Sequence, residues 1–315
     1  MPNDETIADE YGQQLRPDLP PLPARLVPLL RRRGFPVPWF VPWLDPATQR
    51  IVPPDFPGAY PEFRAADARK RVEAVNHHRC WVCGQRLGTY LAFGIGPMCA
   101  VNRISADPPM HAECAAWSAM ACPFLVRPHM ERRDHERFVE QTTTAGHAIA
   151  RNPGVSLVWI TKAYRLVRAP RSGPDDAGGE ERDGFLFQIG DPRTVSIYAE
   201  GRAARADEVA ASVRGGIGTL LDLAVADGPL DVLTLAQQLR DAHGVLGLAP
   251  GTVELPDDAV ERASSALVAQ HVAQHGEGAL RPAASSSSRV GRTSLAAAAA
   301  ALLAGGAAAK GGPRG

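Results

Sequence analysis

The most regular pattern of apolar residues lies in the second half of the chain, and it predicts helices. Between 205 and 226, apolar residues recur at the three- and four-residue spacing of one helix face. That stripe consists of Val209, Val213, Ile217, Leu220, Leu221 and Leu223. Three glycines inside it weaken the helix, and Pro229 is expected to follow its end. Two further helices are predicted at 230–243 and 257–275.

A strand pattern precedes those helices. The segments 155–167 and 185–198 are rich in β-branched and aromatic residues, and a polar loop at 171–183 separates them. They are expected to pair antiparallel. Because Gly190-Asp191-Pro192 is a turn signal, the second segment should split into two strands. The prediction is a small antiparallel sheet of three or more strands.

The first part of the chain has no such periodicity, because proline recurs every few residues from Pro17 to Pro61. Proline breaks helices and central strands, so this segment is expected to be extended. The stretch from Trp39 to Leu44 is too apolar for a solvated linker. We expect it to dock on the chain's own folded part, with the surface of a partner as the alternative. The arginines at 31–33 fit a solvated helix end better than a phosphate-binding patch.

Two more helices are predicted in the middle of the chain. Residues 61–76 place apolar side chains at helical spacing, and these are Phe63, Ala66, Val72 and Val75. Residues 128–144 alternate acidic and basic side chains, which is typical of a solvated helix face. His129 and His135 are therefore not read as a site.

Four metal-ligand residues lie between these two helices and give the strongest chemical signal. Cys80 and Cys83 form a Cys-x2-Cys pair followed by Gly84, and His111 and Cys114 form a second pair three residues apart. Two thiolates can reach one ion from a tight turn, which a glycine helps to form. Residues three apart share one face of a helix. The four residues predict a tetrahedral site for structural Zn²⁺.

The second ligand pair is expected to open a helix. Asp107 fits the N-cap and Pro108 fits the first helical position. Residues 111–120 are rich in good helix formers.

Other ligands and other roles for the five cysteines stay open. Cys99 or Cys122 could replace His111, and His77 and His78 lie just before the first pair. Buried thiols and an iron–sulfur cluster are alternatives to zinc. A disulfide is disfavoured because the number of cysteines is odd and the N-terminal residues are acidic and polar, without the features of a secretory signal.

A β-hairpin is predicted between the two ligand pairs. Two short apolar runs, 89–95 and 98–104, flank the turn signal Gly96-Pro97. The order of knuckle, hairpin and helix resembles the treble-clef zinc-finger superfamily over residues 80–122. The resemblance implies a zinc-stabilised fold, but members of that superfamily serve many unrelated functions.

A longer set of motifs resembles a group of uncharacterised bacterial and phage proteins. It runs from the string at 36–40 through the Cys80 knuckle and the string at 96–103 to the segment 111–125. This resemblance implies a coherent zinc domain and supplies no reaction.

One treble-clef family, the HNH endonucleases, carries a general-base histidine on its hairpin. Residues 84–110 contain no histidine here, and their only aspartate is Asp107. His77 and His78 precede the knuckle, where that family does not place its base. An HNH-like metal-dependent nuclease is therefore kept as the alternative function.

Composition adds limits on function. The net charge of the 315-residue chain is +0, so any nucleic-acid binding would depend on a local basic patch. The glycines at 215–218 lack the Lys-Ser/Thr of a phosphate loop, and no Gly-x-Ser-x-Gly occurs. The apolar run at 295–304 is about half as long as a membrane span.

The sequence therefore predicts an α+β chain with a treble-clef zinc module and a small antiparallel sheet followed by helices. Four parts are expected: a proline-rich extended segment (1–60), a zinc-binding domain (61–150), an α+β domain (151–280) and a disordered low-complexity tail (281–315). The predicted function is binding of a protein or nucleic acid in the cytoplasm, with no membrane association and no catalysis.

Overall fold

The computed structural model describes residues 19–63, 65–127, 152–168 and 185–275. These residues combine helices with small antiparallel sheets, so the predicted α+β class is confirmed. These described residues form two compact units, one up to Val213 together with Val245–Leu248, and one of Arg214–Gly244 together with the described residues from Ala249 onward. The predictions for 128–144, for the loop at 171–183 and for the tail from 281 fall outside the described residues.

The proline-rich segment is built from two-residue strands and turns. The strands are β1 (Arg31–Arg32), β2 (Phe35–Pro36), β3 (Trp43–Leu44), β4 (Ile51–Val52) and β5 (Tyr60–Pro61). β1 pairs with β2, and β3 lies between β4 and β5. The described part of this segment contains no α-helix, as the proline spacing predicts.

The apolar part of that segment docks on the cysteine knuckle of the same chain, as predicted. The backbone N–H of Trp39 donates to the carbonyl of Val82 at 2.6 Å. The Phe40 ring stacks on the Trp81 ring with a centroid distance of 4.7 Å, and Trp39 meets Trp81 edge-on at 6.5 Å. Lys70 Nζ donates to the Trp39 carbonyl at 2.6 Å, which holds the docked segment from the other side.

Helix α1 (Ala68–Asn76) is shorter than the predicted helix at 61–76. The chain is still in an antiparallel sheet at β5, and Asp67 caps the helix by accepting a first-turn backbone N–H at 2.9 Å. The predicted apolar face is also wrong, because Phe63 and Val72 are 47% and 49% exposed.

The predicted hairpin between the ligand pairs is wrong. Its first strand exists as β6 (Leu91–Ile95), but Pro97–Asn102 forms helix α2, followed by β7 (Ile104–Ser105). Gly96 is the N-cap and Pro97 starts the helix, a position that proline's fixed φ favours. β6 pairs instead with a strand about sixty residues later in the chain.

Helix α3 (Ala112–Ala121) begins later than predicted, and α4 (Pro123–Val126) follows it. The N-cap of α3 is His111, so the predictions of Asp107 as the cap and Pro108 as the first helical residue are wrong. The chain stays extended up to Met110, because Met110 and Ala92 exchange two backbone hydrogen bonds of 2.7 and 2.8 Å.

The main sheets follow the predicted strand segments, each of which splits in two. The strands are β8 (Ser156–Thr161), β9 (Tyr164–Arg168), β10 (Phe185–Ile189), β11 (Thr194–Ala199) and β12 (Arg202–Ala203). One sheet has the order β12-β11-β8-β6 and another the order β7-β10-β9. The split at Gly190-Asp191-Pro192 was predicted, and the split between β8 and β9 was not. Each of these two sheets therefore combines a strand from the predicted domain 61–150, β6 or β7, with strands from the predicted domain 151–280.

Aromatic side chains join the two sheets. Phe93 of β6 lies 5.9 Å from the Tyr164 ring and 6.2 Å from the Phe187 ring. Phe93, Phe187 and Trp159 are fully buried. Trp159 also donates its indole N–H to the Gly190 carbonyl at 3.0 Å, so its one polar atom is satisfied. This aromatic core is where the unit containing the knuckle buries its largest side chains.

The C-terminal helices lie close to their predicted positions. They are α5 (Ala206–Asp227), α6 (Pro229–Val245) and α7 (Asp257–His275). By length and composition α5 is the one helix among the described residues that could cross a membrane, and 22% of its most apolar window is buried. A single such helix is weak support for a span. The second unit, which begins at Arg214, is called the helical unit. In it, His243 accepts the Val253 backbone N–H and points its other ring nitrogen at the Arg240 carbonyl.

Candidate metal centre

The structure brings together the four residues predicted to bind metal. One ligand atom each from Cys80, Cys83, His111 and Cys114 can be chosen so that all four atoms lie within 4.8 Å of one another. All four residues are buried, with Cys80 and Cys114 fully inaccessible. Such a cluster of three sulfurs and one imidazole nitrogen could hold a metal ion.

The two knuckle cysteines are positioned by a tight turn. The Cys80 carbonyl accepts the Gly84 N–H at 2.8 Å, and the Cys80 N–H donates to the Gln85 carbonyl at 2.7 Å. Gly84 has φ +71°, a left-handed conformation that L side chains adopt at a cost. The backbone N–H groups of Cys83 and His111 approach Cys80 Sγ at 3.5 and 3.3 Å. These donors favour the thiolate form of Cys80.

The imidazole of His111 is oriented by its two ring nitrogens. Nδ1 lies 3.4 Å from Cys83 Sγ, inside the cluster. Nε2 lies 3.0 Å from the carbonyl oxygen of Arg86. Because a carbonyl can only accept, Nε2 carries a proton, which leaves Nδ1 as the nitrogen able to bind a metal.

Cys114 reaches the cluster from the first turn of α3. His111 is the N-cap of that helix, so one short segment supplies both ligands of the second pair. The N-terminus of a helix carries partial positive charge, which favours a thiolate there.

Hydrogen bonds within the cluster shift the pKa values of Cys80, His111 and Cys114. Hydrogen bonds from the Cys114 and Cys83 thiols hold the pKa of Cys80 far below its usual value. The same Cys80 contact raises the pKa of Cys114, and hydrogen bonding to Cys80 and then Cys83 raises the pKa of His111 to about 10. A bound cation would displace these protons, because metal ligation requires thiolates and a neutral ring nitrogen.

The alternative ligands lie outside this cluster. Cys99 is on α2, where burial raises its pKa to about 11 and keeps it a neutral thiol. Cys122 follows the end of α3. His77 and His78 are exposed at the end of α1. Among the described residues, no other group of three or more potential ligands is close enough to hold a metal ion.

Sequence reasoning missed two contributors to the site. Arg86 acts through its backbone carbonyl, which fixes the ring of His111. Pro109 accepts the Trp81 N–H at 3.1 Å and ties the knuckle to the segment before α3. Backbone contacts of this kind leave no trace in residue type, so no pattern in the sequence indicates them.

Comparison of the chain with protein-family models, with curated proteins and with solved structures gives no match. The function must therefore be inferred from the chemistry of the site itself.

Proposed function

We propose that Cys80, Cys83, His111 and Cys114 bind one structural Zn²⁺ ion. The observation that carries this proposal is the mutual approach of four buried ligand atoms within 4.8 Å. Zinc–sulfur bonds of about 2.3 Å in a tetrahedron place neighbouring sulfurs roughly 3.8 Å apart. The 3.4 Å between Cys83 Sγ and His111 Nδ1 fits the shorter edge between a sulfur and a nitrogen ligand.

A structural role is favoured over a catalytic one because four protein ligands complete a tetrahedron. A catalytic zinc site keeps one position for water or substrate, whereas a Cys₃His set leaves none. The buried position of all four residues supports the same conclusion. Reduced cysteines are needed for this site, which is why the proposal includes a cytoplasmic location.

The proposal includes a treble-clef-like arrangement. The order of knuckle, β6 and α3 supports it, with ligands on the knuckle and at the start of the helix. Met110 pairs with Ala92 of β6 through two backbone hydrogen bonds, and it occupies the position of the second hairpin strand. Helix α2 would then be an insertion between the two strands.

In this proposal the zinc site stabilises a surface that binds a macromolecule, either a protein or a nucleic acid. Trp39 and Phe40 are used inside the chain, so they contribute to the surface as scaffold. Asn76, His77 and His78 at the end of α1, and Arg86 just after the knuckle, are exposed.

Metal analysis of the purified protein tests the proposal. We expect about one zinc per chain, and loss of that zinc when Cys80 and Cys83 are both changed to Ser. The control is Cys99→Ser, which removes a thiol outside the cluster and should leave the zinc content unchanged. Folded protein without zinc or another bound transition metal would contradict the proposal.

An HNH-like nuclease is a second candidate, favoured by one observation. His77 and His78 lie together beside the knuckle and line a cleft with Arg79 and Arg86. The described residues hold no second cluster of metal ligands to activate water. Plasmid cleavage with Mg²⁺ or Mn²⁺ that disappears in His77→Ala or His78→Ala would favour this candidate over a purely binding role.

A further inference from the structure

A polar cleft of about 400 Å³ lies beside the proposed zinc site. It is lined by Asn76, His77, His78, Arg79 and Arg86, and it is called the knuckle cleft below. Its volume falls within the range of about 300–1,000 Å³ that is typical of small-ligand sites. The cleft is open to solvent, and each of its lining side chains carries a hydrogen-bond donor or a cationic group.

Most of those side chains are available to a ligand. No hydrogen bond of the side chains of Asn76, His77, His78 or Arg86 is found within the part of the chain that the structure describes. Arg86 is exposed and offers five N–H donors in a planar fork. These donors have no internal acceptor to displace before a ligand can bind.

The fourth basic group, Arg79, is partly neutralised. Its Nε lies 3.1 Å from a Glu73 carboxylate oxygen but is not aligned for a hydrogen bond. Its other guanidinium end donates to the Gly84 carbonyl at 3.0 Å. The formal charge of Arg79 is thus balanced by Glu73, and Arg86 supplies the uncompensated positive charge.

The end of α1 could oppose an anion, because the C-terminus of a helix carries partial negative charge. That charge resides on unsatisfied carbonyl oxygens, and three of the four in the last turn of α1 are occupied here. Glu73, Ala74 and Val75 accept the backbone N–H groups of His77, Arg79 and His78 respectively. No carboxylate lines the cleft itself.

The walls of the knuckle cleft are continuous with the proposed zinc site. Arg79 precedes Cys80 and pairs with Arg86 in an antiparallel bridge. The Arg86 carbonyl holds His111 at 3.0 Å. Metal binding would therefore fix the separation of the two arginines.

We infer that the knuckle cleft binds a phosphate group, with Arg86 as its principal cationic contact. A phosphate presents several acceptor oxygens and negative charge to a guanidinium fork, and it needs no apolar lining. The phosphate can belong to a nucleic-acid backbone or to a phosphorylated small molecule. This inference rests on the proposed function, because it identifies the ligand chemistry of the surface that the zinc site supports.

Binding of a fluorescent single-stranded oligonucleotide to the zinc-loaded full chain tests the inference. We expect Arg86→Gln to weaken binding roughly tenfold at about 0.1 M salt and to lower the salt slope by about one. Arg214→Gln is the matched control, since it removes an equal charge from an exposed position in the helical unit and should change nothing. Asn76→Ala should also weaken binding, which keeps the test valid if Arg86→Gln fails to fold.

Calorimetry with inorganic phosphate distinguishes the two sources. Phosphate binding that Arg86→Gln abolishes, without oligonucleotide binding, supports the inference and assigns the cleft to a phosphorylated small molecule. The inference is overturned if the Arg86 and Arg214 substitutions have equal effects, or if the protein binds neither phosphate nor the oligonucleotide. Preference for a polyglutamate peptide over both would also overturn it. Zinc content is measured on the same samples. Zinc-loaded protein that binds neither inorganic phosphate nor the oligonucleotide refutes the inference about the cleft alone, whereas folded protein without zinc refutes the proposed function.

Discussion

The cysteine knuckle and the four-stranded sheet belong to one unit but are stabilised by different interactions. The sheet buries Phe93, Leu157 and Trp159 completely and pairs its backbone over several consecutive residues. Burying such side chains is the main source of stability in folded proteins. The knuckle turns within a few residues, adopts a left-handed conformation at Gly84 and buries thiols that compete for protons. The sheet is therefore stabilised mainly by burial and backbone pairing, whereas in our proposal the knuckle depends on a bound Zn²⁺ ion.

Metal removal should produce the largest difference between the two regions. Structural zinc contributes about 10–16 kcal/mol of apparent binding free energy in zinc-finger peptides, and that energy is available for folding. In the Cys80→Ser/Cys83→Ser protein, or after chelation, we expect amide exchange to rise strongly over 79–87 and in the docked segment at 39–41. Exchange over β8 should rise much less.

Hydrogen exchange followed by mass spectrometry measures both regions in one sample. Cys99→Ser serves as the control, because it also removes a thiol, but one that lies outside the cluster. Equal loss of protection in the knuckle and in β8 would show that the two regions unfold as one, and the comparison would fail.

Substitution of Trp159 should produce the largest effect on the sheet. Trp159 is fully buried and donates a hydrogen bond to Gly190. Trp159→Ala leaves a large cavity, and such changes cost about 3–5 kcal/mol of unfolding free energy. Urea unfolding of the zinc-loaded protein measures this loss. Zinc per folded chain should stay the same, since no ligand is touched.

Leu166→Ala, in the three-stranded sheet β7-β10-β9, is the exposed control for Trp159→Ala. Leu166 lies on the edge strand β9 and is 45% exposed, so its truncation should change the free energy of unfolding by less than about 1 kcal/mol. A loss for Trp159→Ala as small as this one would mean that burial does not dominate the stability of the sheet.

Gly84→Ala should damage the knuckle without removing a ligand. A Cβ at this position would lie 2.6 Å from Trp39 Cγ, and φ is +71°. The left-handed backbone costs about 1–2 kcal/mol for an L residue, and overpacking adds about 1–3 kcal/mol. We therefore expect a loss of roughly 2–5 kcal/mol in thermal or urea unfolding.

Gly88→Ala is the matched control, because nothing lies within 4 Å of the added Cβ. The double variant with Trp39→Ala separates the two causes, since it relieves the overlap and leaves the backbone cost. If Gly84→Ala were as stable as Gly88→Ala, the close packing of Trp39 on the knuckle would not hold in solution.

The knuckle and its ligand spacing were predictable because local geometry determines them. Two cysteines separated by two residues describe a tight turn, and the structure brings them to His111 and Cys114. The helices α5 to α7 were predictable because apolar residues recur along them every 3.6 residues, although Leu223 of the predicted stripe on α5 is 42% exposed.

The failures concern short segments and distant pairing. An apolar run of six or seven residues such as 98–104 fits a strand or a buried helix equally well, and here Pro97 starts a helix. Asp107 had the right residue type for a cap, but backbone bonds between Ala92 and Met110 keep the chain extended beyond it. The pairing of β6 with β8 crosses about sixty residues and has no local signal.

The smallest expected effect tests whether charge contributes to the sheet beside burial. Glu208 binds Arg202 of the edge strand β12 at 2.6 Å and accepts the Arg205 N–H at the start of α5. The Arg202 hydrogen bond, followed by the Arg205 N–H, lowers the pKa of Glu208 to about 2 from an ordinary 4.5. Because the folded-state pKa is the lower one, the interaction stabilises the protein above pH 4.5 and is lost as the pH falls towards 2.

Glu208→Gln should therefore be slightly less stable than the unsubstituted chain at neutral pH, and the difference should shrink as the pH falls from 4.5 towards 2. Urea midpoints of both proteins measure it, and protonation of the zinc ligands cancels in the difference because it is common to both. A constant difference from neutral pH down to 2 would show that the carboxylate charge contributes nothing there, and burial would then remain the main support of the sheet.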